Sequence, residues 1–218
     1  MQRNDGHEIR IFVWVGAWQD NCGRTVGAAM SDFAAFRGGT EGTRSGHGKT
    51  AVVATDLLSG DTVVLSRGPL AQAIIASTAI PAAFAPVSFE RMCLADGAIT
   101  CNTPIRIAVA RGAGRLIVLP TGYACALEAP PRGAVACALH ALTLLIARQL
   151  LHELYGLDPR IECFVAPPLC PLMGSPADFS LTGALIERAA ESTRTWLAEG
   201  GLDRREIPQQ MRTHKHSQ

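Results

Sequence analysis

The sequence of 218 residues predicts a single α/β domain, on three observations. Short apolar and β-branched runs of strand length alternate with longer segments whose apolar residues recur at helical spacing. The run at 116–119 is apolar throughout, as expected of a strand buried on both faces of an α/β sheet. The segment 178–197 carries an apolar stripe on one helical face. This alternation is typical of a mixed or parallel sheet with helices on both sides.

Elements are predicted in order from residue 50. Two strands, 51–55 and 62–65, flank a turn at Ser59-Gly60-Asp61. A helix begins at Pro69, because proline fits a first helical turn, and Pro81 ends it. A short strand at 92–94 then leads to Asp96-Gly97, a pair that by itself favours a tight turn.

The second half continues the alternation. Pro104 opens a helix that ends before Gly112, followed by strands at 116–119 and 161–165 and by the helix at 178–197. Between the two strands lies a long apolar helix, 134–155. Because polar residues interrupt its most apolar part, we expect a buried helix rather than a membrane span.

Composition and charge bound the function. A formal net charge of +1 provides no long-range field for binding nucleic acid or an anionic membrane. The seven cysteines form no Cys-x-x-Cys pair and have no zinc-type histidine spacing. They are interpreted as buried thiols in a reducing compartment, without metal or cofactor. The N-terminal apolar run at 11–15 is too short for a signal peptide core, which favours a cytoplasmic protein with no transmembrane segment.

The domain organisation follows from changes in composition. Residues 1–49 form a divergent, Gly-rich N-terminal segment with one plausible strand at 11–15. Residues 50–200 form the regular domain. Residues 201–218 are charged, and His214 and His216 lie there without a packing pattern, so a disordered tail is expected.

Several spaced motifs follow one another between residues 50 and 104: Thr55-Asp56, Ser59-Gly60-Asp61, Ala76-Ser77-Thr78-Ala79-Ile80-Pro81, Asp96-Gly97-Ala98 and Asn102-Thr103-Pro104. In kind and order they resemble the second half of a patatin-like phospholipase domain, and the resemblance covers about 50–200. It implies a three-layer patatin-like fold with a mixed, mainly parallel sheet between helices, its N-terminal part missing or altered.

The resemblance implies a serine acyl hydrolase with a Ser-Asp dyad, acting on a lipid or another acyl ester. In such a dyad the serine attacks the ester carbonyl, and the aspartate orients the hydroxyl or takes its proton. Carried onto this sequence, the general base is Asp96. Gly97 and Ala98 are its motif partners, small enough to let the loop approach the nucleophile.

The nucleophile itself is not found, because no serine lies in a Gly-x-Ser-x-Gly pattern. The nearest patterns are Gly23-x-Thr25-x-Gly27 and Gly38-x-Thr40-x-Gly42, and the first is the better relic because Val-Gly-Ala follows its threonine. Three points count against Thr25: β-branching fits a strained elbow poorly, no strand precedes it, and few residues separate it from the strand at 51–55. The sequence therefore predicts a lipid acyl hydrolase that is inactive or a fragment as written.

Two other interpretations of the function remain open. A sheet that lacks its first strands has an unpaired edge, which suits a non-catalytic binding protein or a degenerate remnant. The second is a phosphate-binding loop ending in Gly48-Lys49-Thr50. That loop requires four residues between its glycines and must open a helix, whereas five residues separate Gly42 from Gly48 and a strand is predicted next. A polar linker is the better interpretation of that segment.

Overall fold

The computed structural model describes residues 9–12, 51–123, 125–127, 129–172, 180–212, 214 and 216. They fall into two compact units, one formed by residues 51–102 and the other by 9–12 together with the residues from 103 onward. Strand β1 (Ile9–Phe12) opens the described part of the chain. The predicted α/β content is confirmed. The described strands form two sheets, one in each unit, whereas a single mixed sheet was predicted.

The elements of the unit of residues 51–102 are β2 (Val52–Asp56), β3 (Thr62–Leu65), α1 (Leu70–Ser77), β4 (Val87–Phe89), β5 (Met92–Asp96) and the one-turn helix α2 (Ala98–Cys101). The strands form a four-stranded antiparallel sheet with the order β3-β2-β5-β4. Helix α1 begins one residue after Pro69 and ends before Pro81, with Thr78 Oγ1 donating a hydrogen bond back to Ile74 O at 3.0 Å.

The predicted turn between β2 and β3 is built on Asp56. Its carboxylate accepts hydrogen bonds from Leu58 N at 3.2 Å and from Ser59 Oγ at 3.1 Å, and the first of these holds the pKa of Asp56 below its ordinary value. Gly60 has a φ of +78°, a conformation that glycine adopts without strain. The same carboxylate accepts a hydrogen bond from Cys93 N at 3.2 Å, which connects the turn to β5.

The core of this unit lies between α1 and the sheet. Small side chains on the buried face of α1 allow the helix to approach the sheet closely, and Leu94 at the centre of β5 is fully buried. The buried members of the cluster are Ala54, Leu65, Ala73, Ala76 and Leu94. The carboxyl end of β5 is therefore fixed by packing from one helix and one neighbouring strand.

After β1, the described elements of the second unit are α3 (Ile105–Ala110), β6 (Arg115–Val118), α4 (Ala134–Tyr155), β7 (Glu162–Val165), α5 (Thr182–Ala198) and 3-10 helices at Gly201–Asp203 and Gln209–Met211. The described strands form a three-stranded parallel sheet with the order β1-β6-β7. The core cluster of the unit comprises Ile105, Ala108, Ala113, Leu116, Val118, Leu150, Val165 and Met211.

Helix α4 differs from the buried helix that was predicted. Only Leu139 and Leu150 are buried, while Leu145 is 61% exposed. Within the described residues, α4 is the one helix whose length and apolar composition would allow it to cross a membrane. Core helices of soluble proteins meet the same criteria of length and composition. Hydropathy predicted a helix here, but it did not predict how little of the helix is covered within the described residues.

The segment after residue 200 also differs from the disordered tail that was predicted. Gly201 packs so closely on the Trp196 ring that a Cβ there would lie 2.2 Å from a ring atom. Met211 is 7% exposed and belongs to the core cluster, with Ile207 packed against that cluster. Two apolar side chains thus fix a segment that is otherwise charged. Such widely spaced anchors leave no periodic signal for a sequence analysis to detect.

Candidate functional site

Asp96 is the last residue of β5, and its backbone is held from two sides. Asp96 N donates a hydrogen bond to Ala79 O at 3.0 Å, beyond the end of α1. Asp96 O accepts one from Thr55 Oγ1, on the neighbouring strand β2, at 2.9 Å. The position of this residue is therefore set by both a helix end and a strand, which gives its carboxyl group a defined location.

A relay of two hydroxyl groups extends this support. Thr55 Oγ1 and Thr100 Oγ1 lie 2.9 Å apart. Since Thr55 donates its proton to Asp96 O, Thr100 must be the donor between the two hydroxyls. From the sequence, Thr55 was predicted only as the end of a strand, and Thr100 was not singled out. A lone threonine in an otherwise apolar run was the available signal, because a buried hydroxyl needs a partner.

The Asp96 side chain is almost completely buried, with 3% of the residue exposed. Ala98 N donates a hydrogen bond to Asp96 Oδ1 at 2.7 Å. Burial raises the pKa of Asp96 above its ordinary value, and the hydrogen bond from Ala98 N lowers it by a smaller amount. A raised pKa gives the carboxylate a higher proton affinity. That is the property a general base needs, and buried carboxyl groups of this kind cluster at functional sites.

Gly97 is required by the packing of the strand end. A Cβ at this position would lie 2.3 Å from Val53 O and 2.8 Å from Val53 C, both backbone atoms of β2. No side chain fits there, so the turn after Asp96 can pass β2 only with glycine. From the sequence, Gly97 was expected to let the loop approach a nucleophile. Among the described residues, the neighbour that requires glycine at this position is the Val53 backbone. Ala98, the other motif partner, is buried.

Several residues singled out in the sequence lie outside the part of the chain that the structure describes. Thr25 and Thr40 are among them, as are Gly48, Lys49 and Thr50. The segment that follows Thr50 is informative, however. Strand β2 begins at Val52, whereas a phosphate-binding loop opens a helix. The strand confirms one of the two arguments against a nucleotide-binding loop.

A second candidate site lies in the other unit, where no metal was expected. Cys125, Cys170, His214 and His216 bring their ligand atoms within 4.8 Å of one another. The two histidines were expected in a disordered tail, and the two cysteines were interpreted as unrelated thiols. Spacing could not reveal the group, because Cys170 is 45 residues from Cys125 and 44 from His214.

Comparison with known proteins connects the chain to one family. Residues 16–109 match the family model of patatin-like phospholipases. Two relatives, uncharacterized NTE family proteins of Mycobacterium bovis and Mycobacterium tuberculosis (strain H37Rv), are each 51% identical to this chain over 53 residues. That stretch is 24% of this chain and 15% of each relative, so the match spans a small part of their length. The family match includes Asp96 and also Thr25, beginning before residue 50 and ending before residue 200.

Proposed function

Because this chain belongs to the patatin-like phospholipase family, we propose that the Asp96 site is that of a lipid acyl hydrolase, a site for cleaving carboxylic ester bonds. The observation that carries the proposal is the Asp96 carboxyl group, which is buried at a strand end and has a raised pKa. Its backbone is fixed through Thr55 and Ala79. A fixed carboxylate with increased proton affinity suits a general base.

The proposed role of Asp96 is to accept the proton of a hydroxyl group as that oxygen attacks the ester carbonyl. Asp96 then gives this proton to the departing alcohol, and an acyl ester remains on the protein. In a second step Asp96 accepts a proton from the water that hydrolyses that ester. During both steps the hydrogen bond from Ala98 N stabilises the ionised form of Asp96, which limits how far burial raises its pKa.

We place Thr25 at the position of the nucleophile. The support is the family match, which contains both the Gly23-x-Thr25-x-Gly27 pattern and Asp96. A secondary, β-branched hydroxyl is more crowded than that of serine and fits poorly into the strained turn of a nucleophile elbow. We therefore propose that the chain as written turns over acyl esters slowly or not at all. A three-layer patatin-like arrangement around this site is part of the same proposal.

Hydrolysis of p-nitrophenyl esters of short and medium chain length tests this proposal. Purified wild-type protein, Asp96→Ala and Thr25→Ala are compared, with Asp61→Ala as a control because Asp61 is an exposed carboxylate in the same unit. We expect wild-type rates close to background. A clear wild-type rate that Asp96→Ala abolishes and Asp61→Ala preserves would contradict the low activity while supporting the role of Asp96. A clear rate that survives Asp96→Ala would contradict the proposed base.

A further inference from the structure

Two loops and the C-terminal segment bring four potential metal ligands together in the second unit. Cys125 lies in the loop after β6, and Cys170 lies in the loop after β7. Because β6 and β7 are adjacent parallel strands, both loops leave the sheet at the same edge. Ala126 N donates a hydrogen bond to Leu172 O at 3.2 Å, which joins the two loops beside the cysteines.

Five of the six distances among the four side chains are close to the edges of a tetrahedron, and the sixth, between Cys125 and His214, is within 4.8 Å. Cys125 Sγ and Cys170 Sγ are 3.8 Å apart, and His214 Nε2 and His216 Nε2 are 3.0 Å apart. Three sulfur-to-nitrogen distances are 3.2, 3.3 and 3.5 Å. Around a tetrahedral zinc ion, ordinary bond lengths give about 3.8 Å between sulfurs, about 3.4 Å between nitrogens and about 3.6 Å between the two kinds. Each of these five distances is within a few tenths of an ångström of its ideal value.

The histidine tautomer also fits a metal ligand. His214 Nδ1 lies 2.7 Å from Arg212 O, and a carbonyl oxygen can only accept, so Nδ1 carries the proton. In the neutral ring this leaves the lone pair of His214 Nε2 directed at the other three ligand atoms. A hydrogen bond from the second ring nitrogen to a backbone carbonyl is the usual outer support of a metal-bound histidine.

A disulfide does not explain the arrangement. The sulfur separation of 3.8 Å is well beyond a covalent bond of about 2.05 Å, and both cysteines are free. A disulfide would also leave two imidazole nitrogens directed at a group that offers them little. Four convergent ligands, two of them thiols and two imidazoles, are the set that tetrahedral zinc prefers.

We propose that Cys125, Cys170, His214 and His216 bind one Zn²⁺ ion in a closed tetrahedral site. Two thiolates balance the charge of the ion, and four protein ligands leave no open position for a substrate, so the site is structural. The ion would hold the C-terminal segment on the loops after β6 and β7, a short distance along the chain from Met211, which packs in the core. This inference concerns the second unit and is independent of the proposed hydrolase.

The first test is the metal content of the full chain. Protein purified under reducing conditions with zinc in the growth medium is dialysed and analysed by inductively coupled plasma mass spectrometry. We expect about one zinc per chain, as for other four-ligand structural sites. Cys170→Ser and His216→Ala should lose this stoichiometric zinc. Cys137→Ser and His152→Ala are matched controls, since both side chains are exposed and lie outside the cluster, and they should retain it.

A second measurement covers the case in which a ligand variant fails to fold. Wild-type protein is treated with a chelator, zinc is restored to half of the sample, and both halves are then digested briefly with trypsin. We expect chelation to lower the thermal midpoint and expose the bond after Arg212 to cleavage, and zinc to reverse both changes. Cobalt should replace zinc and give the visible absorption of a tetrahedral thiolate site.

Three results would overturn the proposal. One is wild-type protein that holds no more zinc than His216→Ala does. Another is a Cys125–Cys170 disulfide in intact protein prepared with zinc under reducing conditions, detected by peptide mass spectrometry. The third is tryptic cleavage after Arg212 at the same rate with zinc and with chelator.

Discussion

The two units hold their reactive side chains by different means. In the unit of residues 51–102, the segment around Asp96 is fixed by hydrogen bonds to the Asp96 backbone and by the close approach of Gly97 to Val53. In the other unit, the side chains of the Cys-His cluster (Cys125, Cys170, His214 and His216) contact one another where two loops meet the C-terminal segment. Packing is sufficient to place the Asp96 carboxyl group, whereas a metal ion is the group that would hold the Cys-His cluster together. Substitutions around Asp96 should therefore act through packing, whereas substitutions of the four Cys and His ligands should act through metal binding.

The largest effect is expected from Gly97→Ala. Its Cβ would overlap the Val53 carbonyl group, which is part of a paired strand and cannot move freely. We expect the free energy of unfolding to fall by about 3 kcal/mol or more, measured by urea denaturation. Gly183→Ala is the matched control, since nothing lies within 4 Å of its added Cβ, and a change within about 1 kcal/mol is expected. Equal effects of the two substitutions would contradict the packing account.

A smaller effect is expected from Met211→Ala in the second unit. Removing this buried side chain leaves a cavity in the core cluster and should lower the free energy of unfolding by about 2–4 kcal/mol. The same substitution should increase tryptic cleavage after Arg212 at a fixed zinc concentration. Gln209→Ala, at an exposed position in the same 3-10 helix, is the control. If both variants unfold at the same urea concentration, the C-terminal segment does not pack as described.

The smallest effects concern two carboxyl groups whose pKa values shift in opposite directions. Burial raises the pKa of Asp96, so its ionised form destabilises the fold at neutral pH relative to a neutral amide. Asp96→Asn should therefore increase stability at pH 7, and the gain should shrink as pH falls toward the unfolded value of 3.8.

Asp158 is the counterpart in the second unit. Its hydrogen bonds with Arg160 lower its pKa to about 2, so its contribution is present above pH 3.8 and is lost as pH falls through about 2. Asp158→Asn should decrease stability slightly at pH 7, because the pair is exposed and screened by solvent. Urea denaturation of both variants between pH 3 and pH 7 checks the signs. A loss of stability for Asp96→Asn at pH 7 would contradict the burial account of Asp96.

The sequence predicted the strands, the turn and the helix around Asp96 because their determinants are local. Thr55-Asp56, the turn at Gly60 and Asp96-Gly97-Ala98 lie within one short stretch, and each has a recognisable pattern of turn or strand residues. The close contact between Gly97 and Val53 was not predictable, since it depends on the pairing of β2 with β5.

The Cys-His cluster could not be predicted, because its ligands come from three segments that only the parallel pairing of β6 with β7 and the C-terminal segment bring together. The division of the strands between two sheets was missed for a related reason. Alternation of apolar runs predicts strands, but it does not predict which strands pair. Composition likewise predicted a disordered tail, since charge dominates it and its two apolar anchors, Ile207 and Met211, form no periodic pattern.

The claim that Thr25 and Asp96 occupy the two positions of a hydrolase dyad is tested most directly by labelling with a fluorophosphonate. Intact-protein mass spectrometry compares wild-type protein, Thr25→Ser, Thr40→Ser and the double variant Thr25→Ser, Asp96→Asn. The account predicts a covalent adduct on Thr25→Ser that is absent from wild-type and from Thr40→Ser and is largely lost in the double variant. An adduct on Thr25→Ser that is unaffected by Asp96→Asn, or no adduct on any variant, would contradict it.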